Sequence, residues 1–178
     1  MKQSIIIPYY KNKQELYFSL NLLFMYLPKE VEVIIVANNY NPQELDISFP
    51  NCKILKYNRS LLYSKAANIG VQNATGDIIT LMDQDIFVTN NWYEPLIDKL
   101  LSDPNIGAVS SKMINPTNNR ILEYGIEYTP YNSAHIGKDL SAQSSLVQSD
   151  ISVSSACGGV LMTYKSLYNK LGGMDEDM

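Results

Sequence analysis

Residues 57–97 read YNRSLLYSKAANIGVQNATGDIITLMDQDIFVTNNWYEPLI, and the order of elements in this stretch decides the fold. Ser64 is placed to cap a helix of small residues, with Ala67, Gly70, Val71 and Ala74 on one face. Gly76-Asp77 turns the chain. Ile78 to Met82 is then a short, nearly all-apolar run, as expected of a strand buried on both faces. It stops abruptly at Asp83-Gln84-Asp85. A further helix follows from about Trp92 to Leu101, where Pro95 is tolerable only in the first turn. Helix, buried strand, polar exit, helix is the repeating unit of a helix-covered parallel sheet.

The flanking sequence extends the same pattern. Ser4 to Ile7 is an apolar run stopped by Pro8, and Leu16, Leu20, Leu23 and Leu27 recur at helical spacing from Gln14 until Pro28. Glu32 to Ala37 reads as a second buried strand, ended by Asn38-Asn39, and Cys52 to Tyr57 as a weaker third. A strand is expected near Gly107 to Ser111. The fold class is therefore α/β, with a mostly parallel, Rossmann-like central sheet flanked by helices. Such sheets bind ligands at the carboxyl ends of their strands. In this chain those ends carry Pro8-Tyr9-Tyr10, Asn38-Asn39 and Asp83-Gln84-Asp85.

After Asn115 the style changes. Leu122, Tyr124, Ile126 and Tyr128 alternate with Glu123, Gly125, Glu127 and Thr129, which predicts one strand with a single covered face. Tyr131 to Asp150 lacks a period and reads as a long loop, with the sole histidine, His135, exposed in it. Val160 to Thr163 is a further strand, and Lys165 to Leu171 a short helix ended by Gly172-Gly173.

Composition narrows the class. The chain has 178 residues, enough for one domain, with 46% hydrophobic and 18% charged residues, so it is globular rather than disordered. A net charge of -4 argues against a nucleic acid polymer as partner. Thirteen tyrosines against four phenylalanines offer flat faces with polar tips, suited to bases, sugars or ordinary half-buried packing. Cys52 and Cys157 have neither disulfide-framework nor zinc spacing. The apolar run Ile5-Ile6-Ile7 is too short for a signal-peptide core, and no segment approaches a transmembrane length. These features predict a cytoplasmic protein, with peripheral attachment at the inner face of a membrane left open.

The chemistry converges on Asp83-Gln84-Asp85. On an extended backbone, residues i and i+2 point the same way with α-carbons about 6.5–7 Å apart. Two carboxylates so placed repel each other and gain from a shared cation. Mg²⁺ or Mn²⁺ is suited, because it takes carboxylate oxygens, keeps waters and bridges diphosphate oxygens. Asp is also common in turns and caps, and Asp175-Glu176-Asp177 is a second such pair with no strand before it.

The run 57–97 resembles the corresponding segment of family 2 glycosyltransferases, which have the GT-A fold. The matches are Asn68-Ile69-Gly70, Ala74-Thr75-Gly76-Asp77, the strand Ile78 to Met82, Asp83-Gln84-Asp85 and Trp92. Ser4 to Tyr10 looks like the family's opening strand with its Pro-x-Tyr. Gly158-Gly159 and Leu171-Gly172-Gly173-Met174-Asp175-Glu176 look like its later glycine-rich motifs. The resemblance implies a single GT-A domain over 1–178, divided into a nucleotide-sugar-binding half (1–114) and a partial acceptor-binding half (115–178). It implies that Pro8, Tyr9 and Tyr10 flank the nucleobase, and that Asn38 meets its edge. Lys65 and Asn68 would lie towards phosphate, with Gln84 also lining the donor. Asp83 would face ribose or share the metal, and Asp85 would be the main protein ligand of a Mg²⁺ or Mn²⁺ ion.

Two departures stand out. The family commonly has Asp where this chain has Ala37, and Ser-x-Asp where it has Tyr40-Asn41-Pro42, so the base is left open. The family's acidic general base is expected about ten positions beyond Gly-Gly-x-Asp-Glu, past Met178. The chain thus reads as C-terminally truncated, with Glu176 and Asp177 as solvated substitutes for that base. The implied reaction is transfer of a sugar from a nucleotide-diphosphate donor to a hydroxyl of a saccharide or lipid-linked saccharide. It would be metal-dependent and inverting, in polysaccharide or glycoconjugate biosynthesis. The rivals are a nucleotidyltransferase, disfavoured because Pro8-Tyr9-Tyr10-Lys11-Asn12 has no glycine to cradle a triphosphate, and a catalytically inactive scaffold domain.

Overall fold

A computed structural model describes residues 1–38, 45 and 47–177. Asn39 and Tyr40-Asn41-Pro42, which entered the reading of the base pocket, lie outside the described residues. The central sheet is built from β1 (Gln3–Tyr9), β2 (Glu32–Ala37), β3 (Cys52–Lys56), β4 (Ile78–Met82), β5 (Ala108–Ser110) and β10 (Val160–Tyr164). Its strand order is β3-β2-β1-β4-β10-β5. The first four run parallel, whereas β10 is antiparallel to both neighbours. The chain therefore returns to the central sheet at β10, between β4 and the edge strand β5.

Alternation along the strands feeds two cores. Ile5, Ile7, Val33, Ile35, Ile78 and Met82 pack with α1 (Lys13–Tyr26) and α3 (Glu94–Ser102) through Leu16, Leu20, Leu23, Leu96 and Leu100. Ile6, Ile34, Val36, Ile79 and Leu81 face the other way onto Ala66, Ala67 and Val71 of α2 (Tyr63–Asn73). Apolar burial on both faces explains why the strands read as continuous rather than alternating runs. Leu27 ends α1 in extended conformation, as a residue before proline must, and Pro95 lies in the first turn of α3.

Three expectations are corrected. Leu62, not Ser64, is the N-cap of α2, and no side chain caps it; Ala66 N–H already bonds the Leu62 carbonyl, which starts the helix two residues early. The segment from 121 is not one strand. It splits into β7 (Ile121–Glu123), paired with β6 (Met113–Ile114), and β8 (Ile126–Thr129), paired with β9 (Asn132–His135). Gly125, at φ 145° and against Val153, breaks it, and the covered side chains are Ile121 and Glu123 rather than Leu122 and Tyr128. The stretch 131–150 also has more structure than a loop. It supplies β9, a 3₁₀ turn at Ser145–Val147, and Ala142 and Val147, which close over Ile121.

The helix α4 (Lys165–Lys170) follows β10 directly. Close approach of α2 to the sheet depends on Gly70, where a methyl group would run into Ile6 and stand 3.2 Å from Val36 Cγ2. Gly70→Ala should destabilise the fold by about 1–3 kcal/mol, the usual cost of overpacking. The drop should appear in the urea unfolding midpoint; an unchanged midpoint would mean that α2 can lift off the sheet freely.

Candidate functional site

The tips of β1, β2 and β3 are tied to one another by backbone bonds. Asn38 N–H donates to the Tyr9 carbonyl at 2.8 Å, and Tyr57 N–H to the Ala37 carbonyl at 3.0 Å. Pro8 and Tyr9 are buried in the sheet, so they form the floor of this edge, whereas the Tyr10 ring is 54% exposed just beyond it. The Lys11 ammonium lies 5.8 Å from the centre of that ring. Asn38 is buried, and its side-chain oxygen accepts Leu61 N–H at 3.0 Å, holding the approach to α2.

Asp83-Gln84-Asp85 is not extended. Ile86 N–H reaches back to the Asp83 carbonyl at 3.3 Å, closing a tight turn with Gln84 and Asp85 at its centre. The sequence-based picture of i and i+2 on a straight strand therefore fails in geometry. The carboxylates still feel one another. Burial pushes the Asp83 carboxyl above its usual range and the Asp85 charge adds to this, while a hydrogen bond from the Tyr63 hydroxyl opposes both. Asp83 N–H is anchored by the Gly159 carbonyl at 3.0 Å. Gln84 turns inward: its carbonyl accepts Tyr10 N–H at 2.8 Å, and its amide nitrogen donates to the Lys11 carbonyl. That single side chain clamps the β1 exit to the β4 exit.

Lys65 and Asn68, from the same helix as Tyr63, meet the glycine-rich segment after α4. The Asn68 amide nitrogen donates to the Met174 carbonyl at 2.9 Å and to Glu176 at 3.0 Å, and its oxygen accepts Met174 N–H at 2.9 Å and the Tyr168 hydroxyl at 2.6 Å. Lys65 pairs with Glu176 at 2.8 Å. Glu176 is thus not a loose terminal carboxylate: the bonds from Lys65 and Asn68 hold it below the usual range. Asp177 is exposed, its N–H bonded to the Asp175 carboxylate at 3.0 Å. Among the described residues no group of three or more His, Cys, Asp or Glu is arranged to hold a metal ion. Two carboxylates at a strand tip nonetheless suit a divalent cation that completes its shell with water and diphosphate.

Sequence reading missed Tyr63, Tyr168 and the Glu123–His135 pair, at 2.6 Å. His135 lies on β9 rather than in a loop, against a carboxylate with no sequence signal to announce it. A cleft of about 510 Å³ opens at the other end of the strands. It is lined in part by Glu32, Lys53 and Thr75. The Glu32 carboxylate there accepts from Ser4 and Thr75, which marks it as a structural joint between β2 and the 74–77 turn.

Magnitudes separate the two ties to the glycine-rich segment. The ends of the Lys65–Glu176 pair are 41% and 40% exposed, so Lys65→Ala should leave the unfolding midpoint nearly unchanged. Asn68→Ala removes a buried amide that bonds half-buried Tyr168 and Met174, and should cost about 1–3 kcal/mol. Denaturant unfolding of both variants checks the ranking; equal losses would contradict it.

The arrangement has counterparts among known proteins. Residues 4–168 match the family described as Glycosyl transferase family 2. Polypeptide N-acetylgalactosaminyltransferase 5 of Mus musculus is 26% identical over 167 residues, which cover 83% of this chain and 18% of that protein. Mannosyltransferase PcManGT from Pyrobaculum calidifontis, solved with GDP-Man and Mn²⁺, superimposes with a TM-score of 0.68 at 17% identity, covering 99% of this chain and 48% of the other. GalNAc-T7, solved with UDP, GalNAc and Mn²⁺, gives 0.67 at 14% identity, covering 98% and 37%. The chain spans less than half the length of each of these proteins. The two structures share its fold, the GT-A arrangement expected from the strand and helix order. With the match running from the first strand into α4, the chain belongs to glycosyl transferase family 2.

Proposed function

We propose that this chain binds a nucleotide-diphosphate sugar and a divalent cation as part of a glycosyltransferase that moves the sugar, with inversion, to an acceptor hydroxyl. One observation carries the reading. Asp83 is half-buried at the tip of β4 beside Asp85, in a charge balance that a cation would relieve, and Gln84 brings the exposed Tyr10 ring to the same edge. The two solved relatives carry different nucleotides, GDP and UDP, each with Mn²⁺, so the base is not carried over.

Each residue then has a task. Tyr10 offers a flat face to the nucleobase. Asn38, whose oxygen accepts Leu61 N–H, would offer its amide nitrogen to a base carbonyl. Asp83 and Asp85 would hold Mg²⁺ or Mn²⁺, and Tyr63 orients the Asp83 carboxylate by donating to it. A cation held there neutralises the charge that gathers on the departing diphosphate. Lys65 and Asn68 fix residues 174–176 beside the donor edge instead of reaching for phosphate directly. Residues 1–114 supply the donor side and 115–178 part of the acceptor side, with a saccharide or lipid-linked saccharide as acceptor in glycan biosynthesis. No helix among the described residues is long and apolar enough to cross a membrane.

Two variants test the site. Asp85→Ala should lower the affinity for UDP or GDP in the presence of Mg²⁺ or Mn²⁺ at least tenfold by calorimetry, with thermal unfolding unchanged, because this turn carboxylate is exposed. Retained affinity would remove the metal assignment. Asp83→Asn keeps an oxygen for Tyr63 while removing the repelling charge. It should raise the melting temperature of the metal-free protein and abolish the further rise that added Mn²⁺ produces in the parent chain. A fall in metal-free stability would contradict the charge argument.

A further inference from the structure

The acceptor side contains a pair that the donor reading does not use. Glu123 is the charged residue buried on β7, its side chain 9% exposed, with one oxygen accepting Gly125 N–H at 3.3 Å and the other 2.6 Å from His135 Nδ1. An ionised carboxylate can only accept, so Nδ1 carries the proton, and in the neutral ring the lone pair is on Nε2. The His135 side chain is 45% exposed.

Contacts place this dyad beside the Asp83 turn. Glu123 pairs across the ribbon with Met113, whose side chain packs on Gly159, and the Gly159 carbonyl holds Asp83 N–H. The Cys157 thiol is pushed up by burial, and among the further causes are the charges of both Glu123 and Asp83, so it lies within reach of each. On the other strand, His135 is opposite Ile126, and Ile126 exchanges backbone bonds with Ser155 in the segment leading to Gly159. Residues opposite one another and two apart share a face, so His135 shares its side of the hairpin with Ser133 and with Tyr128, whose ring is 58% exposed. A flat aromatic surface next to a lone-pair acceptor matches a pyranose, with its C–H face and its hydroxyl donors.

We propose that the Glu123–His135 pair is a positioning device for a saccharide acceptor: Glu123 fixes the imidazole tautomer, and Nε2 accepts a hydrogen bond from an acceptor hydroxyl while Tyr128 stacks on the sugar. This rests on the glycosyl-transfer reading above. The chain has one histidine, so the imidazole nitrogens of the ¹⁵N-labelled full-length protein give a single set of resonances. They should show protonated Nδ1 and unprotonated Nε2, and Glu123→Gln should produce a tautomer mixture. With UDP and Mg²⁺ present, methyl glycosides of glucose, galactose, mannose, N-acetylglucosamine and N-acetylgalactosamine are added in turn. At least one should shift the Nε2 resonance upfield with saturation, and Tyr128→Ala should weaken that binding at least fivefold. A protonated Nε2 in the parent protein, or an Nε2 signal unmoved by all of these glycosides, overturns the proposal. Loss of UDP binding in the same samples counts against the donor site instead, because the imidazole signal is read independently of it.

Discussion

Negative charge crowded at the tip of a strand with no solvent on either face is the constraint around which this structure is organised. Every side chain of β4 is buried, so its last turn must deliver Asp83 at the boundary between core and water. There the carboxyl is raised by desolvation and by its neighbour Asp85, and it is restrained by one neutral donor, Tyr63. The ion pairs at Glu176, Asp150 and Glu123 lie elsewhere. Under the proposed function a divalent ion would relieve this site, and the stability that the fold forgoes there would return as affinity.

The middle residue of the Asp-Gln-Asp turn has a separate task. A turn that points two carboxylates outward must turn the residue between them inward, and an amide can satisfy a backbone N–H and a backbone carbonyl at once. Gln84 does this across 73 and 74 residues of sequence, to Lys11 and Tyr10. The distance between Tyr10 and the Asp83–Asp85 turn is thereby set by one side chain rather than by two independent loops.

Legibility in the sequence followed the range of the interaction. Strand and helix order, the polar strand tips and the place of Pro95 were readable because each depends on a few consecutive residues. The backbone at Asp83–Asp85 was misread, because i+2 on a strand and the centre of a turn both bring carboxylates near. The splitting of 121–135 was not readable: the apparent alternation favoured Leu122 and Tyr128, whereas Ile121 and Glu123 face inward and Gly125 separates β7 from β8. Nor were Tyr63, Tyr168, Glu123 or the true partners of Asn68, since those contacts join residues 12 to 108 positions apart. The Asn-x-Gly motif was legible as a motif, but its contacts within the fold were not. Gly70 serves packing against Ile6, and Asn68 reads the Gly173–Met174 turn.

That last point bears on how the two ends of the site communicate. Tyr63, Lys65 and Asn68 lie within two turns of one helix, yet the first touches Asp83 and the other two touch Glu176. Gly172 and Gly173, at φ 87° and 78°, allow the chain to double back onto Asn68, and a side chain at 173 would collide with the Asn68 oxygen. The start of α2 is therefore a common abutment for Asp83 and for the segment that follows α4. Because Gly70 lets that helix lie flat on the sheet, its first two turns cannot shift relative to β1 without disturbing both ends together. The exit of β4 and the segment after α4 are thus registered by the packing of a single helix, and the small residues along α2 are there to make that packing close.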